Sequence, residues 1–200
     1  NLAFYKYVLG LKVISEENAL AILGGKSAKN LDDAVLIIEE SPSMRTRAVT
    51  GAKKLKKIVL ASPEFKEGFE ATSPEGDLFE VVPMQSETSD VILQDIQLHT
   101  ENIAACLAFY TEGFGLSSQG NSVSLPFGTI SYTEATGADL MTKPEEVWDI
   151  EVIEFKVAPE VDLKQISQQL DGLGLPYYVD KKGKILTLHD AQNIEIWFAK

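Results

Sequence analysis

Hydrophobic and polar positions alternate along the second half of the chain, and two stretches of helical spacing interrupt the alternation. Residues 91–99 alternate with the period of a strand. The apolar residues that follow recur at the spacing of an amphipathic helix: Ile103, Cys106, Leu107, Tyr110 and Phe114. Later segments alternate as strands at 123–127, 130–132, 153–157, 184–189 and 194–198, and Asp162 marks the start of a second amphipathic helix. Because strands outnumber helices and the order is strand, helix, strand, strand, strand, we predict the α+β class.

A repeated segment divides the chain into two copies of one module. The ten residues from Leu2 and the ten from Leu107 share six identical positions, and both end in Gly-Leu, as expected where glycine stops a helix. The first copy has one residue before Leu2, and it is roughly 21 residues shorter than the second between Phe65 and Gly68. We therefore predict a first module over 1–83 that lacks its first strand and second helix, a linker over 84–90 and a complete module over 91–200.

Composition narrows the classes of partner. Eighteen Lys and Arg residues against thirty Asp and Glu residues give a net charge of −12, which repels nucleic acid and anionic membranes. No apolar stretch approaches the ~20 residues that a membrane-spanning helix needs. The single cysteine, Cys106, cannot form an internal disulfide, which suits a reducing compartment. We expect a cytoplasmic protein that binds neither nucleic acid nor membranes.

Short motifs in both modules resemble a known superfamily. The pattern Phe-Tyr-x4-Gly-Leu occurs in each copy, and a strand, a turn and a strand finish each module, as at 69–82. These features resemble the glyoxalase/bleomycin-resistance/dioxygenase superfamily, which has the vicinal oxygen chelate fold. The segment 39–55 and the ending 193–198 resemble the CppA family of streptococci and related lactic acid bacteria. The resemblance implies two tandem βαβββ-type modules with paired, curved mixed sheets, and it implies a proteinase that degrades the third component of complement.

The superfamily resemblance also implies a place for a metal. Its enzymes bind a divalent ion through His, Gln and Glu on the concave faces of paired sheets. One ligand position lies about fourteen residues before Phe109, at Asp95, where the usual His is replaced. The others lie near the ends of the last strands, at Glu80 and Glu195. Gln97 and His99 share the strand face of Asp95 because strand side chains alternate.

These residues give the candidate catalytic set, with two interpretations. In the first, Asp95, His99, Glu80 and Glu195 hold a hard or borderline divalent ion. In the second, they are solvated polar residues of antiparallel strands. The sequence leaves both open, and the cofactor stays unknown.

Signals of proteolysis are sparse in the sequence. It contains neither His-Glu-x-x-His nor Gly-x-Ser-x-Gly. Cys106 lies on an apolar helical stripe, so we expect an inert core thiol rather than a nucleophile. Asp190 follows His189 at a predicted turn, where an aspartate is expected to organise the turn. A dyad of His99 or His189 with a hydroxyl that folding brings near is left open.

The segment 45–57 contains six cations and no acid. Arg45 and Arg47 lie two apart on a predicted strand and offer bidentate geometry to a carboxylate or phosphate, so they are candidates for binding a small molecule or an acidic protein surface. The alternative is a solvated hairpin whose lysines keep an edge strand from pairing with another molecule. Trp197 shares a strand face with Glu195 and either lines a pocket or belongs to the core.

Three functions of different class follow. The first is the proteinase activity that the family resemblance implies. The second is a metal-dependent enzyme of the glyoxalase or dioxygenase kind, which needs an ion at Asp95, Glu80 or Glu195. The third is a non-catalytic module that binds a small molecule or a protein through Arg45 and Arg47.

Overall fold

The computed structural model describes residues 2–40, 46–84 and 90–200. Its helices are α1 (Leu2–Tyr7), α2 (Ile103–Phe114) and α3 (Leu163–Gly172). Its strands in the first half are β1 (Lys12–Glu17), β2 (Leu20–Gly24), β3 (Ala34–Glu39), β4 (Arg47–Ala48), β5 (Leu55–Ser62), β6 (Phe69–Thr72), β7 (Leu78–Pro83) and β8 (Ile92–Thr100). In the second half they are β9 (Ser118–Gln119), β10 (Ser122–Leu125), β11 (Gly128–Glu134), β12 (Val147–Trp148), β13 (Val152–Lys156), β14 (Tyr177–Val179), β15 (Ile185–His189) and β16 (Glu195–Ala199).

The predicted α+β class is confirmed, with strands far outnumbering helices in these ranges. No helix of the described part of the chain is both long and apolar enough to cross a membrane. Two compact units divide the chain. Unit 1 contains Asn1–Met44, Leu55–Leu98 and Leu125–Ser131, and unit 2 contains Arg45–Lys54, His99–Ser124 and Tyr132–Lys200.

Unit 1 contains an antiparallel sheet of order β1-β2-β3 and a run of strands in the order β6-β7-β5-β8-β11. Strand β5 pairs parallel with β7 and antiparallel with β8. One face of these strands belongs to a core cluster that α1 also joins: Tyr5, Leu9, Leu11, Leu23, Ile58, Leu60, Phe79, Val81 and Val91. Since strand side chains alternate, the residues between these apolar positions lie on the opposite face, which carries the buried Val59 as well as polar side chains.

Unit 2 contains helices α2 and α3 and a sheet of order β13-β16-β15-β14, in which β13 pairs parallel with β16. The side chain of Asn102 accepts a hydrogen bond from the backbone N–H of Ala105 at the start of α2. Gly115 ends α2 in the left-handed conformation, with φ of 67°. Asp162 begins α3 by accepting from the backbone N–H of Lys164, so the predicted helix start is confirmed.

The segment between β5 and β6 and the basic segment 45–57 both bear on the sequence interpretation. The structure joins β5 to β6 through residues 63–68 with no helix in that described segment. The interpretation of the basic segment as an edge hairpin is wrong, however. Residues 55–57 of the basic segment belong to strand β5, which lies between β7 and β8. The apolar residues that follow Lys57 favour such a central position, because both faces of a central strand are covered.

Candidate functional site

One face of the unit 1 strands carries charged groups on both sides of the buried Val59. Val59 of β5 pairs with Glu80 of β7 on one side and with Asp95 of β8 on the other. Glu70 of β6 pairs with Glu80, and Lys57 pairs with Gln97. Paired residues point to the same face, so these side chains share one surface. We name this surface the acidic face and include Thr129 and Ser131 of β11, which bond to Asp95.

Lys57 bridges two carboxylates of this face. Its Nζ lies 2.7 Å from Glu80 Oε2 and 2.9 Å from Glu70 Oε1. These two hydrogen bonds, the one to Glu80 first, raise the pKa of Lys57 above its usual value. The Lys57 side chain is 16% exposed, so its ammonium is partly shielded from water. A positive charge supplied by the chain itself therefore occupies the space between Glu70 and Glu80.

Asp95 is held by three side-chain donors. The hydroxyls of Thr129 and Ser131 donate to its Oδ1 at 2.7 and 2.9 Å, and Gln97 Nε2 donates to Oδ2 at 3.1 Å. Asp95 and Glu80 stand in the same row, but β5 separates their strands, which places the two strands roughly 10 Å apart. The structure thus brings two predicted ligand positions onto one face and gives each of them partners from within the chain.

Glu195 and Trp197 lie on one face of the unit 2 sheet. Glu195 pairs with His189 of β15, and Trp197 pairs with Thr187 of β15 and Glu154 of β13. The residues that alternate with them, Ile196 and Phe198, are buried on the opposite face. The indole Nε1 of Trp197 is buried and has no acceptor among the described residues.

His99 and Cys106 are each engaged within unit 2. Nδ1 of His99 lies 3.0 Å from the carbonyl oxygen of Lys53, and because a carbonyl only accepts, Nδ1 carries the proton. The Cys106 thiol is buried and lies 3.3 Å from the hydroxyl of Thr100. Burial raises the pKa of this thiol to about 11. The prediction of a core thiol at Cys106 is therefore confirmed.

Arg47 binds a carboxylate of its own unit. Its guanidinium donates to both oxygens of Asp139, at 2.8 and 2.6 Å, and the backbone N–H of Thr50 donates to Asp139 at 2.7 Å. The Arg47 hydrogen bonds, together with that of Thr50, hold the pKa of Asp139 well below its usual range. Arg45, the other predicted binding arginine, lies outside the described residues.

The predicted catalytic residues thus fall into separate places. Glu80 and Asp95 lie on the acidic face of unit 1, whereas His99 and Glu195 belong to unit 2. Within the described ranges, no three His, Cys, Asp or Glu side chains come together as a set that could hold a metal ion. The arrangement on the acidic face instead offers carboxylates and hydroxyls that exchange hydrogen bonds with neighbouring side chains.

Sequence reasoning missed several residues of this face. The sequence shows Lys57 only as one of six cations in the segment 45–57. Its ion pairs depend on β7 lying beside β5 and on β6 lying beside β7. Thr129 and Ser131 gave a weak signal, since two hydroxyl residues two positions apart share a strand face. Which acid they would meet depends on the neighbouring strand, β8, and strand order is not a local property.

Comparisons with known proteins place the chain in a family. The family models described as CppA C-terminal and CppA N-terminal match residues 88–198 and residues 1–68. The chain belongs to the CppA family. The crystal structure of the CppA protein from Streptococcus pneumoniae TIGR4 is similar over 100% of this chain and 91% of its own, with 24% identity and a TM-score of 0.74.

Two solved variants of glyoxalase I from Zea mays are also similar to this CppA-family chain. They match 100% and 98% of this chain and 86% and 87% of their own, with 12% and 11% identity and TM-scores of 0.65 and 0.64. At such identities the likeness shows the fold alone, which is glyoxalase-like. No curated protein sequence matches the chain.

Proposed function

We propose that this CppA-family chain is a metal-independent binding protein and that the acidic face binds a ligand rich in positive charge or hydrogen-bond donors. The observation that carries the proposal is Lys57, which lies between Glu70 and Glu80 at hydrogen-bond distance from both. A cation placed between two carboxylates is the recognition pattern that an amine or guanidinium of a ligand would reproduce.

The charge of the acidic face supports this class of ligand. Three carboxylates, those of Glu70, Glu80 and Asp95, face a single ammonium, that of Lys57. The Glu70 side chain is 58% exposed, so a ligand in solution can reach it. The net charge of −12 over the whole chain attracts cations over a longer range. Small polyamines and the basic side chains of a protein partner both fit this chemistry.

The three hypotheses that the sequence raised have different support. Proteolysis of the third complement component rests on the family resemblance. A metal-dependent reaction rests on the superfamily positions Asp95, Glu80 and Glu195. The side chains at these positions suit a metal ion poorly, because Asp95 already accepts hydrogen bonds from Thr129 and Ser131. Glu80 already pairs with Lys57. Arginine-mediated binding rests on Arg45 and on Arg47, whose guanidinium fork is bonded to Asp139.

The proposal is tested by titrating spermidine into the protein in a calorimeter at low and at physiological salt. Glu80→Gln is expected to weaken spermidine binding about ten-fold, and Lys57→Met is expected to strengthen it, because the internal ammonium competes for the same carboxylates. Glu160→Gln and Lys66→Met change the same charges at exposed positions and serve as matched controls.

Two results would count against the proposal. The first is spermidine affinity that does not respond to Glu80→Gln or Lys57→Met. The second is stoichiometric metal in the purified protein that is lost in Asp95→Ala, which would favour the metal-dependent hypothesis. Incubation of the same samples with the third complement component, followed by gel electrophoresis, tests proteolysis in parallel.

A further inference from the structure

Strand β3 of unit 1 has one open edge. It pairs with β2 on one side and with no strand of the described part of the chain on the other. The backbone N–H of Glu40 donates to the carbonyl oxygen of Ala19, so the backbone groups of Glu40 point to the side of β2. Because these directions alternate along an antiparallel strand, the N–H and C=O groups of Ile37 and Glu39 point to the open side.

This edge lacks the features with which proteins block strand pairing, such as lysine, proline, a bulge or a very short strand. Strand β1, at the other edge of the same sheet, has Lys12 and a bulge between Val13 and Ser15. Strand β3 contains neither lysine nor proline. Its own irregularity lies near Ala34, so residues 36–39 keep a regular register with β2 and remain open to a further strand.

The second copy of the repeat shows what lies at the corresponding edge. Counted from the helix of each copy, β3 is the third strand after α1, and β11 is the third strand after α2. Within unit 1, β11 has the strand β8 beside it. Ile96 and Leu98 of β8 are buried, and the residues between them are less so, as in a strand with one core face. This fold therefore closes an edge of this kind with an extended strand.

The side chains around the open edge indicate the chemistry of the strand that would bind there. Leu36 and Ile38 pack against the core cluster of unit 1, and Ile37 is 49% exposed on the opposite face. Exposed carboxylates flank this apolar stretch at its two ends: Asp32, Asp33, Glu16, Glu17, Glu39 and Glu40. The three strands of the sheet contain one basic residue, Lys12. Apolar residues at the centre and basic residues at the ends would complement this edge.

We propose that the open edge of β3 binds an extended segment of a partner protein, which adds a strand to the sheet and has apolar residues at its centre and Lys or Arg at its ends. The backbone groups of Ile37 and Glu39 supply the hydrogen bonds, and the flanking carboxylates pair with the basic residues. The surface includes no residue of the acidic face, so it does not depend on ligand binding there.

A synthetic peptide tests the proposal: Lys-Lys-Thr-Val-Thr-Ile-Thr-Val-Lys-Lys, labelled with fluorescein and titrated with the full chain while fluorescence anisotropy is recorded. Ile37→Pro is expected to weaken binding at least about ten-fold, because proline removes the open N–H and blocks strand addition. The pairing of β3 with β2 does not use this N–H. Ile37→Val keeps the N–H and is the matched control.

Two further changes separate backbone pairing from charge. A peptide that is N-methylated at its two central residues cannot pair at its centre along either edge, and it is expected to bind at least about ten-fold more weakly. This result does not depend on how Ile37→Pro folds. The double variant Glu39→Gln and Glu40→Gln is expected to weaken binding about five-fold at low salt. The same double change at the exposed Glu145 and Glu146 is its control.

Several results would overturn the proposal. The first is the absence of measurable binding, and the second is equal affinity for the N-methylated peptide. The third is a loss of affinity in Glu80→Gln as large as that in Ile37→Pro, which would place the peptide on the acidic face. The last is a dimer in analytical ultracentrifugation that Ile37→Pro converts to a monomer, which would make a second copy of the chain the occupant of the edge.

Discussion

Single side chains decide which chemistry this chain offers, and Cys106 shows how burial removes a reactive group. The thiol is 2% exposed and contacts the hydroxyl of Thr100. A nucleophilic cysteine needs a thiolate, which a neighbouring base or positive charge stabilises, whereas burial disfavours the charged form. Lys57 shows the opposite case: its side chain is also largely buried, but its positive charge is stabilised because Glu70 and Glu80 bond to it.

We therefore expect the native Cys106 thiol to react slowly. Burial raises its pKa from 9.0 to about 11, so at pH 8 the thiolate fraction falls about 100-fold, and lack of access slows the reaction further. The measurement is the rate of alkylation by iodoacetamide at pH 8, followed by mass spectrometry, with the chain unfolded in guanidinium as the control. A native rate within ten-fold of the unfolded rate would contradict this prediction and restore Cys106 as a candidate nucleophile.

At the scale of elements, sequence periodicity predicted α2, α3 and the strands β8, β10, β11, β13, β15 and β16, because each has a regular apolar face. It also placed Asp95 and Gln97 on one strand face, and the hydrogen bond between their side chains confirms this. The two-residue parallel pair of β4 and β12 was not predicted, since so short a pairing depends on tertiary contacts. The partners of Lys57 and Arg47 were missed for the same reason, because they lie on other elements.

Close approach of β8 and β11 within unit 1 depends on Gly128. A Cβ at this position would lie 2.4 Å from the carbonyl oxygen of Gln94 and 2.9 Å from that of Leu93, and backbone atoms cannot move aside as a side chain can. Gly128→Ala is expected to lower the free energy of unfolding by about 1–3 kcal/mol. Because β11 carries Thr129 and Ser131, the same change should also disturb the bonds to Asp95.

Denaturant unfolding monitored by circular dichroism measures this effect. Gly172→Ala is the control, because nothing lies within 4 Å of the Cβ it adds at the end of α3, and alanine favours a helix. Equal stability of the two variants would show that β8 and β11 do not need a glycine at their contact.

At the scale of the whole molecule, segments that are distant in sequence build each compact unit. The predicted linker over 84–90 would separate residues 1–83 from residues 91–200, and it stays a prediction. Unit 2, however, includes Arg45–Lys54 from the first half of the chain. Within unit 2, Arg47 and Thr50 bond to Asp139, and the backbone N–H of Lys54 bonds to the carboxylate of Asp149.

A fragment of residues 91–200 tests whether the second half is autonomous. Such a fragment lacks Arg47 and Thr50, which both donate to the carboxylate of Asp139 in the intact chain. Asp139 is 2% exposed, and among the hydrogen bonds described here its carboxylate would keep the one from the hydroxyl of Thr142. An unpaired charge at a buried position destabilises a fold. We expect the midpoint of thermal unfolding of the fragment to lie at least about 5 °C below that of the intact chain.

Joining residues 45–54 to the start of this fragment through a Gly-Ser linker is expected to recover most of the lost midpoint. The same fusion with Arg47→Ala is the matched control and should recover less, because the bidentate bond to Asp139 cannot form. If the fragment alone unfolds at the midpoint of the intact chain, then residues 91–200 are an autonomous module, and the contribution of Arg45–Lys54 to unit 2 adds no stability.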